Sequence, residues 1–573
     1  MRALRVLSVL CLSSLFVACV AGEGDDGVEA ESDIVTEGSA EARAVLALVN
    51  DGTVKAAELK SEARVTQPVA DGIVAHRDGP DATFGTEDDD KFDTIRELRG
   101  IRGCGPATIE KLFEYAKRKG LYQSGDVSVV FSPQTAENSH LTKIVGEIER
   151  AQSSIDIAMY SYSDAKIGEA LKAATQRGVK VRFIFNDAGS EQRLATREGS
   201  KSYKLEASGV DVRFVNKTMH HKFMIVDGPR DDMSKARTAR LVTGSANWSS
   251  SAATRYDENT VFLGNNEELL LRFQREFDLM WKHSRDFTGK PFEHVLSTSD
   301  IRDESIPDAN GAMVWFTSAN FKVNNTTFST NGSNTVSDAL VAAINGATSS
   351  IHVASGHLRS RPVSEALIAK KQQNPNLDIR VYLDGQEFIS KTTHENQLDD
   401  LDACLDRATT DAQRRNCTDK GFLFGYQVGQ ANIEVRYKYY AYRWDHGYAP
   451  QMHHKYMVID GKRLFTGSYN LSDNAEHATF ENMMLFEGDA YSALVSSFEQ
   501  NFESMWKTGR DENKLASVTQ RVESSSSIPL VFDPMALTWS EVSTLKSKIR
   551  TNCPAADSED FRRNPGAHMT CQR

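Results

Sequence analysis

The sequence nearly repeats itself around one motif. Met219-His220-His221-Lys222-Phe223-Met224-Ile225-Val226-Asp227, followed by Thr243-Gly244-Ser245-Ala246-Asn247, returns as Met452-His453-His454-Lys455-Tyr456-Met457-Val458-Ile459-Asp460, followed by Thr466-Gly467-Ser468-Tyr469-Asn470. In each copy a Glu-Asn pair, Glu258-Asn259 or Glu481-Asn482, stands eleven residues beyond the last Asn. A single His-x-Lys at the head of an apolar run is most simply a solvated strand edge. A duplication that carries every accessory residue instead constrains the chain to two copies of one unit. In the strand-like runs after each Lys, alternate side chains share a face. His220 and Lys222 therefore point one way, as do His453 and Lys455. The same period pairs Ser245 with Asn247 and Ser468 with Asn470, donors spaced to surround an anion. Each copy reads as half of a phosphate site.

On these residues the chain resembles the phospholipase D superfamily, whose HKD motifs occur twice per active site, in one chain or across a homodimer. The resemblance covers residues 126–510. Its motifs specify the superfamily better than the substrate, because the superfamily includes phospholipases, phospholipid synthases and nucleases. It implies that one His attacks phosphorus to give a phosphohistidine, while the other protonates the leaving alcohol and then activates water. By motif order His220 is the nucleophile and His453 the acid/base, with the reverse left open by symmetry. Lys222, Lys455, Asn247 and Asn470, with Ser245 and Ser468, would hold the phosphoryl oxygens. Glu258 and Glu481 would orient the imidazoles, within a lobe or across lobes. Asp227 and Asp460 complete the catalytic motif but end its strands, where a structural role is expected. Covalent catalysis with fixed cations calls for no cofactor and no metal.

Around the motifs, strand and helix patterns alternate. The order Val127–Phe131, a helix around 141–151, Ile155–Tyr160, a helix around 166–177 and Val179–Phe185 returns between residues 311 and 383. This predicts an α/β fold of two homologous lobes, 126–290 and 311–510, with mixed sheets flanked by helices. The closing helices agree as well. Phe273, Phe277, Met280 and Trp281 are matched at identical intervals by Phe498, Phe502, Met505 and Trp506, an apolar stripe for core packing. The second lobe adds an insertion at 385–430 and the aromatic segment Tyr437, Tyr439, Tyr440, Tyr442, Trp444 and Tyr448. Those rings are expected at the site entrance, against a headgroup, a lipid interface or a nucleobase, unless they pack as an edge strand. Residues 511–573 hold two Cys and no readable motif.

At the N-terminus Arg2, Arg5 and the apolar run 6–21 predict a signal peptide over 1–21, with Cys19 also placed as the Cys of a bacterial lipobox. Residues 22–40 read as a flexible tether. The mature protein is thus expected outside the cell membrane, secreted or lipid-anchored, where disulfides persist. The simplest pairing is Cys404 with Cys417 and Cys553 with Cys571, leaving Cys104 free. Residues 41–122 read as a small all-α module. Its turn Gly103-Cys104-Gly105 before Pro106 resembles a helix-hairpin-helix, in which backbone N–H groups meet a DNA phosphate and Lys111, Lys117, Arg118 and Lys119 add charge. Against DNA stand Asp78, Asp81, Glu87, Asp88, Asp89 and Asp90 in the same module and a formal net charge of -12. The acids lack EF-hand spacing. The expected function is an exported phospholipase D acting as a monomer on phospholipid at a membrane interface. The alternative is a metal-independent endonuclease whose partner is nucleic acid; intact motifs disfavour a non-catalytic binding protein.

Overall fold

Two eight-stranded sheets share one plan in the computed structural model of the chain, which describes residues 35, 40–119 except 87, 121, 126–289 except 231 and 265, 301, 306, 311–418, and 421–573 except 444–448. The expected signal peptide with Cys19, nearly all of the tether, and Trp444 and Tyr448 lie outside the described residues. In the first lobe the strands beginning at Asp126, Glu258, Arg240, Lys222, Ser154, Lys180, Asp211 and Arg285 lie side by side in that order. In the second, those beginning at Ala312, Asn482, Arg463, Lys455, Ser350, Asp378, Glu434 and Val531 repeat it. Ser154, Lys180 and Asp211 head parallel neighbours, as do Ser350, Asp378 and Glu434, and all other neighbours run antiparallel. The parallel pairs need crossovers, supplied by helices such as Ala165–Gln176, whose N-cap Asp164 accepts the N–H of Ile167. The mixed α/β architecture is the one predicted.

The lobes exchange helices at their interface. Glu267–Lys282 of the first lobe packs on the strand Ala312–Phe316 of the second, with Phe273 and Phe316 ring centroids 5.1 Å apart. Ser492–Trp506 of the second packs on the first, with Phe498 4.9 Å from Phe131. The matched stripe Phe273, Phe277, Phe498 and Phe502 is fully buried in one core shared by both lobes. At about 2 to 3 kcal/mol per buried large apolar side chain, this core holds the two half-sites in a fixed relation.

Two expectations change. Residues 511–573 belong to the second lobe, because Val531–Thr538 pairs with Glu434–Ala441 and completes the sheet. The helix behind it, Trp539–Asn552, opens with a Thr538/Glu541 capping box. The strand Glu434–Ala441 is therefore internal, and Tyr437, Tyr439, Tyr440 and Tyr442 are all at most 3% exposed. These four rings form no aromatic lip at the entrance. The disulfides Cys404–Cys417 and Cys553–Cys571 are present and Cys104 is free and buried.

The N-terminal helices, Ala40–Val49, Ala56–Ser61, Gln67–Arg77, Ile95–Arg99 and Pro106–Arg118, enclose a core of their own. Gly103 makes the turn before the last helix at φ 90°. The acids of the preceding loop are partly spent on closing it: Asp88 accepts the N–H of Asp81 and Asp89 that of Gly85.

Candidate active site

Each motif His meets a carboxylate of the opposite lobe. Thr218–Met219 pairs in parallel with Thr479–Phe480, and the His220 N–H donates to the Phe480 carbonyl at 3.1 Å. In the mirror arrangement Met452 bridges Asp257, and the His453 N–H donates to the Asp257 carbonyl at 3.0 Å. These short ladders set His453 Nδ1 2.7 Å from Glu258 Oε1, in a hydrogen bond. They set His220 Nδ1 2.7 Å from Glu481 Oε1, at an angle too bent for a linear hydrogen bond. With Nδ1 committed to a carboxylate, Nε2 is the ring nitrogen left to react. Both rings line one cavity of 490 Å³ between the lobes, together with Tyr160, Gly356, His357 and Asn470.

The second His of each motif is a cross-lobe anchor. Asn482 Nδ2 lies 3.0 Å from His221 Nδ1, and Asn259 Nδ2 lies 3.1 Å from His454 Nδ1. Each Glu-Asn pair thus engages both histidines of the other lobe's motif.

The cations sit within the same buried cluster. Lys222 Nζ donates to the His220 carbonyl at 2.7 Å, and Lys455 Nζ to the His453 carbonyl at 2.8 Å. Lys455 Nζ also stands 3.2 and 3.3 Å from the two ring nitrogens of His453. Burial sets the ionisation of the whole group. It pushes Glu258 and Glu481 up to about 7, against the pull of Lys455 and Lys222 respectively. It pushes Lys222 down to about 7 and Lys455 down to about 8, with Glu481 and Glu258 respectively opposing. Burial, reinforced by the two ammonium groups, also holds both imidazoles well below their usual range. A proton moves easily in such a cluster, and an anion entering it meets positive charge that water does not screen.

The remaining motif residues divide. Asn470 lines the cavity, while the Asn247 carbonyl lies 3.0 Å from His140 Nε2. Ser245 and Ser468 are fully buried, their hydroxyls accepting the N–H of Asn259 at 2.9 Å and of Asn482 at 3.0 Å. They brace the carboxylate-bearing strands and do not line the cavity. Asp227 and Asp460 lie at the far ends of their strands. Asp227 accepts the N–H groups of Gln152, Ser153 and Ser154, and Asp460 those of Thr348, Ser349 and Ser350. Both hold positive φ, 51° and 56°. They tie the motif strand to the turn that starts its neighbour and make no contact with the cavity.

Residues outside the repeat shape the site and are not signalled by it. Ile155 faces Val226 as Ile351 faces Ile459, so Tyr160 and Gly356 occupy equivalent places, each donating its N–H to the carbonyl beyond the motif His. The Tyr160 ring lies 4.5 Å from that of His220, while the equivalent place beside His453 is held by Gly356, packed against the motif backbone, and the Tyr256 ring stands 6.4 Å from that of His453. A Cβ at Gly356 would come within 2.8 Å of the Met452 carbonyl oxygen, so only Gly fits. The next residue, His357, enters the cavity with Nδ1 3.1 Å from the buried Glu387. Among the described residues three groups of side chains come close enough to share a cation: His76 with Asp90 and Glu97, His352 with Glu499 and Glu503, and Glu206 with Asp211 and Asp286. None of them lines the cavity.

Residues 144–281 and 340–506, more than half of the chain, match the family described as cardiolipin synthase, PLD-like domain. The chain is 31% identical over 156 residues to the mitochondrial cardiolipin hydrolase of Drosophila melanogaster, and 30% identical over 146 residues to that of Homo sapiens. Each match takes 25% of this chain, and 59% and 52% of those proteins respectively, so the chain spans less than two thirds of the relatives it matches. The crystal structure of phosphatidylserine synthase from Haemophilus influenzae Rd KW20 superposes with a TM-score of 0.42 at 12% identity, over 65% of this chain and 85% of that one. With two family segments, each contributing one motif His to a single cavity, the chain belongs to the phospholipase D superfamily, in the family of the cardiolipin synthase PLD-like domain.

Proposed function

We propose that this chain is an exported phosphodiesterase of the phospholipase D type, converting a phospholipid to phosphatidic acid and a headgroup alcohol through a phosphohistidine. The observation that carries the reading is the pair of imidazoles, each with Nδ1 held at a buried carboxylate of the opposite lobe and both bordering one cavity. His220 Nε2 attacks phosphorus and forms the P–N bond as the P–O bond to the alcohol breaks, while His453, which takes up a proton at Nε2 as the anionic substrate enters the cluster, gives that proton to the departing alkoxide. His453 then takes a proton from water, whose oxygen displaces His220. Lys222, Lys455 and Asn470 stabilise charge on the phosphoryl oxygens. The walls support this division of labour. Tyr160 packs against His220, as suits a nucleophile held in one pose, and the cavity that both imidazoles line gives the alcohol and the water access to His453. The net charge of -12 and relatives named as cardiolipin hydrolases favour a lipid over a nucleic acid. The buried tyrosines lend that choice no support.

The test is a side-by-side assay in excess EDTA of choline release from phosphatidylcholine vesicles and of single-stranded DNA cleavage. Choline release with intact DNA is expected. DNA cleavage without choline release would overturn the lipid reading and leave the phosphodiesterase. Turnover that vanished in EDTA and returned with a divalent ion would overturn catalysis by side chains alone.

A further inference from the structure

A second cavity, of 310 Å³, adjoins the catalytic one, and Gln386 belongs to the walls of both. Arg443, Lys546 and Arg562 line it, and among the described residues no acidic one does. The Lys546 ammonium rests over the rings of Tyr442 at 5.0 Å and Phe388 at 5.6 Å and donates to the Tyr442 carbonyl at 3.3 Å. Among the described residues no carboxylate lies within salt-bridge distance of it. Asp557, the carboxylate of this region, is already engaged by Arg443 at 2.9 Å and Arg550 at 2.7 Å. Burial, with Arg443 and Arg550 adding repulsion, presses Lys546 down to about 8. An ammonium surrounded by like charges and aromatic faces is stabilised by an entering anion. Lys546 and Arg562 come from residues 511–573, which supply no group to the catalytic cavity.

We propose that this cavity is an anion subsite that takes a phosphate group of the substrate other than the scissile one, so that the enzyme selects phosphodiesters with a neighbouring phosphate. The proposal rests on reading the chain as a phosphodiesterase. In keeping with the net charge of -12, the ligand is a glycerophospholipid that carries a second phosphate beside the reacting one.

The test uses the full mature chain and Lys546→Met, which keeps the side chain's length against Tyr442 and Phe388; an unchanged thermal midpoint verifies its fold. Calorimetric titration with inorganic phosphate should resolve two classes of site, one weakened about ten-fold or more by Lys546→Met and the other by Lys222→Met. In turnover, Lys546→Met should lower kcat/KM about ten-fold on cardiolipin vesicles, with phosphatidylglycerol vesicles and bis(p-nitrophenyl) phosphate changing by less than about two-fold. The same selective loss on an oligonucleotide, with cardiolipin unaffected, would overturn the lipid ligand and assign the subsite to a nucleic acid. An equal loss on every substrate, or none on any, overturns the proposal. If the wild type turns over no phosphodiester, the function reading fails by itself. The phosphate titration still decides the subsite, because a single class of site indifferent to Lys546→Met overturns it.

Discussion

Replacing Glu481 by Gln should disable His220, although Glu481 lies in the lobe that carries His453. The contact is 2.7 Å between a fully buried carboxylate and a ring at the cavity wall, and the partner of His453 is Glu258 at the same distance. Removing the charge of a buried partner from an ion pair of this kind costs about 1–3 kcal/mol, which becomes roughly 5- to 150-fold in rate if it is lost in the transition state. Because burial pushes Glu481 up to about 7, part of its population is protonated at neutral pH, and the lower half of that range is expected there. A stopped-flow burst with a p-nitrophenyl phosphodiester separates the steps, since the phenolate leaves without a proton. Glu481→Gln should slow the burst, in which phosphohistidine forms. Glu258→Gln should leave the burst nearly intact and slow the steady state, in which water must be activated. Imidazole ¹⁵N spectra assign the contacts independently of the kinetics. Glu481→Gln should move the His220 resonances and leave those of His453 in place. The opposite shifts would refute the cross-lobe pairing, while correct shifts with the two kinetic effects exchanged would mean that His453 is the nucleophile.

Three further outcomes follow from the same geometry. Residues 126–290 expressed alone should show no hydrolysis, since His220 then lacks both Glu481 and the second imidazole; robust turnover by a verified monomer of that fragment would contradict the shared site. Lys222, pushed down to about 7, loses its charge as pH rises, so kcat/KM should fall on the alkaline side; Lys222→Arg, which stays charged, should carry that limb to higher pH, and an unmoved limb would assign it to another group. Asp460→Asn should cost about 3 kcal/mol in urea unfolding at pH 7 while kcat/KM stays within about two-fold. Backbone N–H groups outweigh burial and hold this carboxyl below its usual range, so its stabilisation is present above the unfolded pKa of about 4 and lost as pH falls; the gap between variant and wild type should therefore close at low pH, and a catalytic defect without a stability defect would show that Asp460 serves the chemistry.

Much of this was legible in the sequence, and what was not has identifiable physical causes. Alternation of apolar runs with helical periods predicted both lobes, because parallel strands buried on two faces read as continuous apolar stretches. The stripe of Phe273 and Phe498 predicted core but not that each helix would pack on the other lobe, a relation between distant segments that periodicity does not encode. For the same reason the partners of Glu258 and Glu481 were open between lobes. The tyrosines near 440 were misplaced because a strand is an edge only until something pairs with it. Val531–Thr538 lies about ninety residues on, and its Pro534 weakens the strand pattern there. The Thr538-x-x-Glu541 capping box was readable and marked the helix that follows that strand.

A repeated motif also hides the asymmetry on which the chemistry depends. Two identical half-sites would offer water and alcohol equally to both imidazoles and give no reason for one to stay on phosphorus. The motif residues here are nearly interchangeable: each Lys donates to its own His carbonyl, and each His faces a Glu at 2.7 Å. The difference arises one strand away, where Tyr160 stands against His220 while the equivalent place beside His453 holds Gly356, followed by His357 with its Nδ1 3.1 Å from Glu387. Assigning the nucleophile from motif order alone is therefore an analogy. A physical assignment must instead rest on what borders each imidazole, and the Tyr160 ring against His220, set against Gly356 and His357 beside His453, is the difference from which it has to be made.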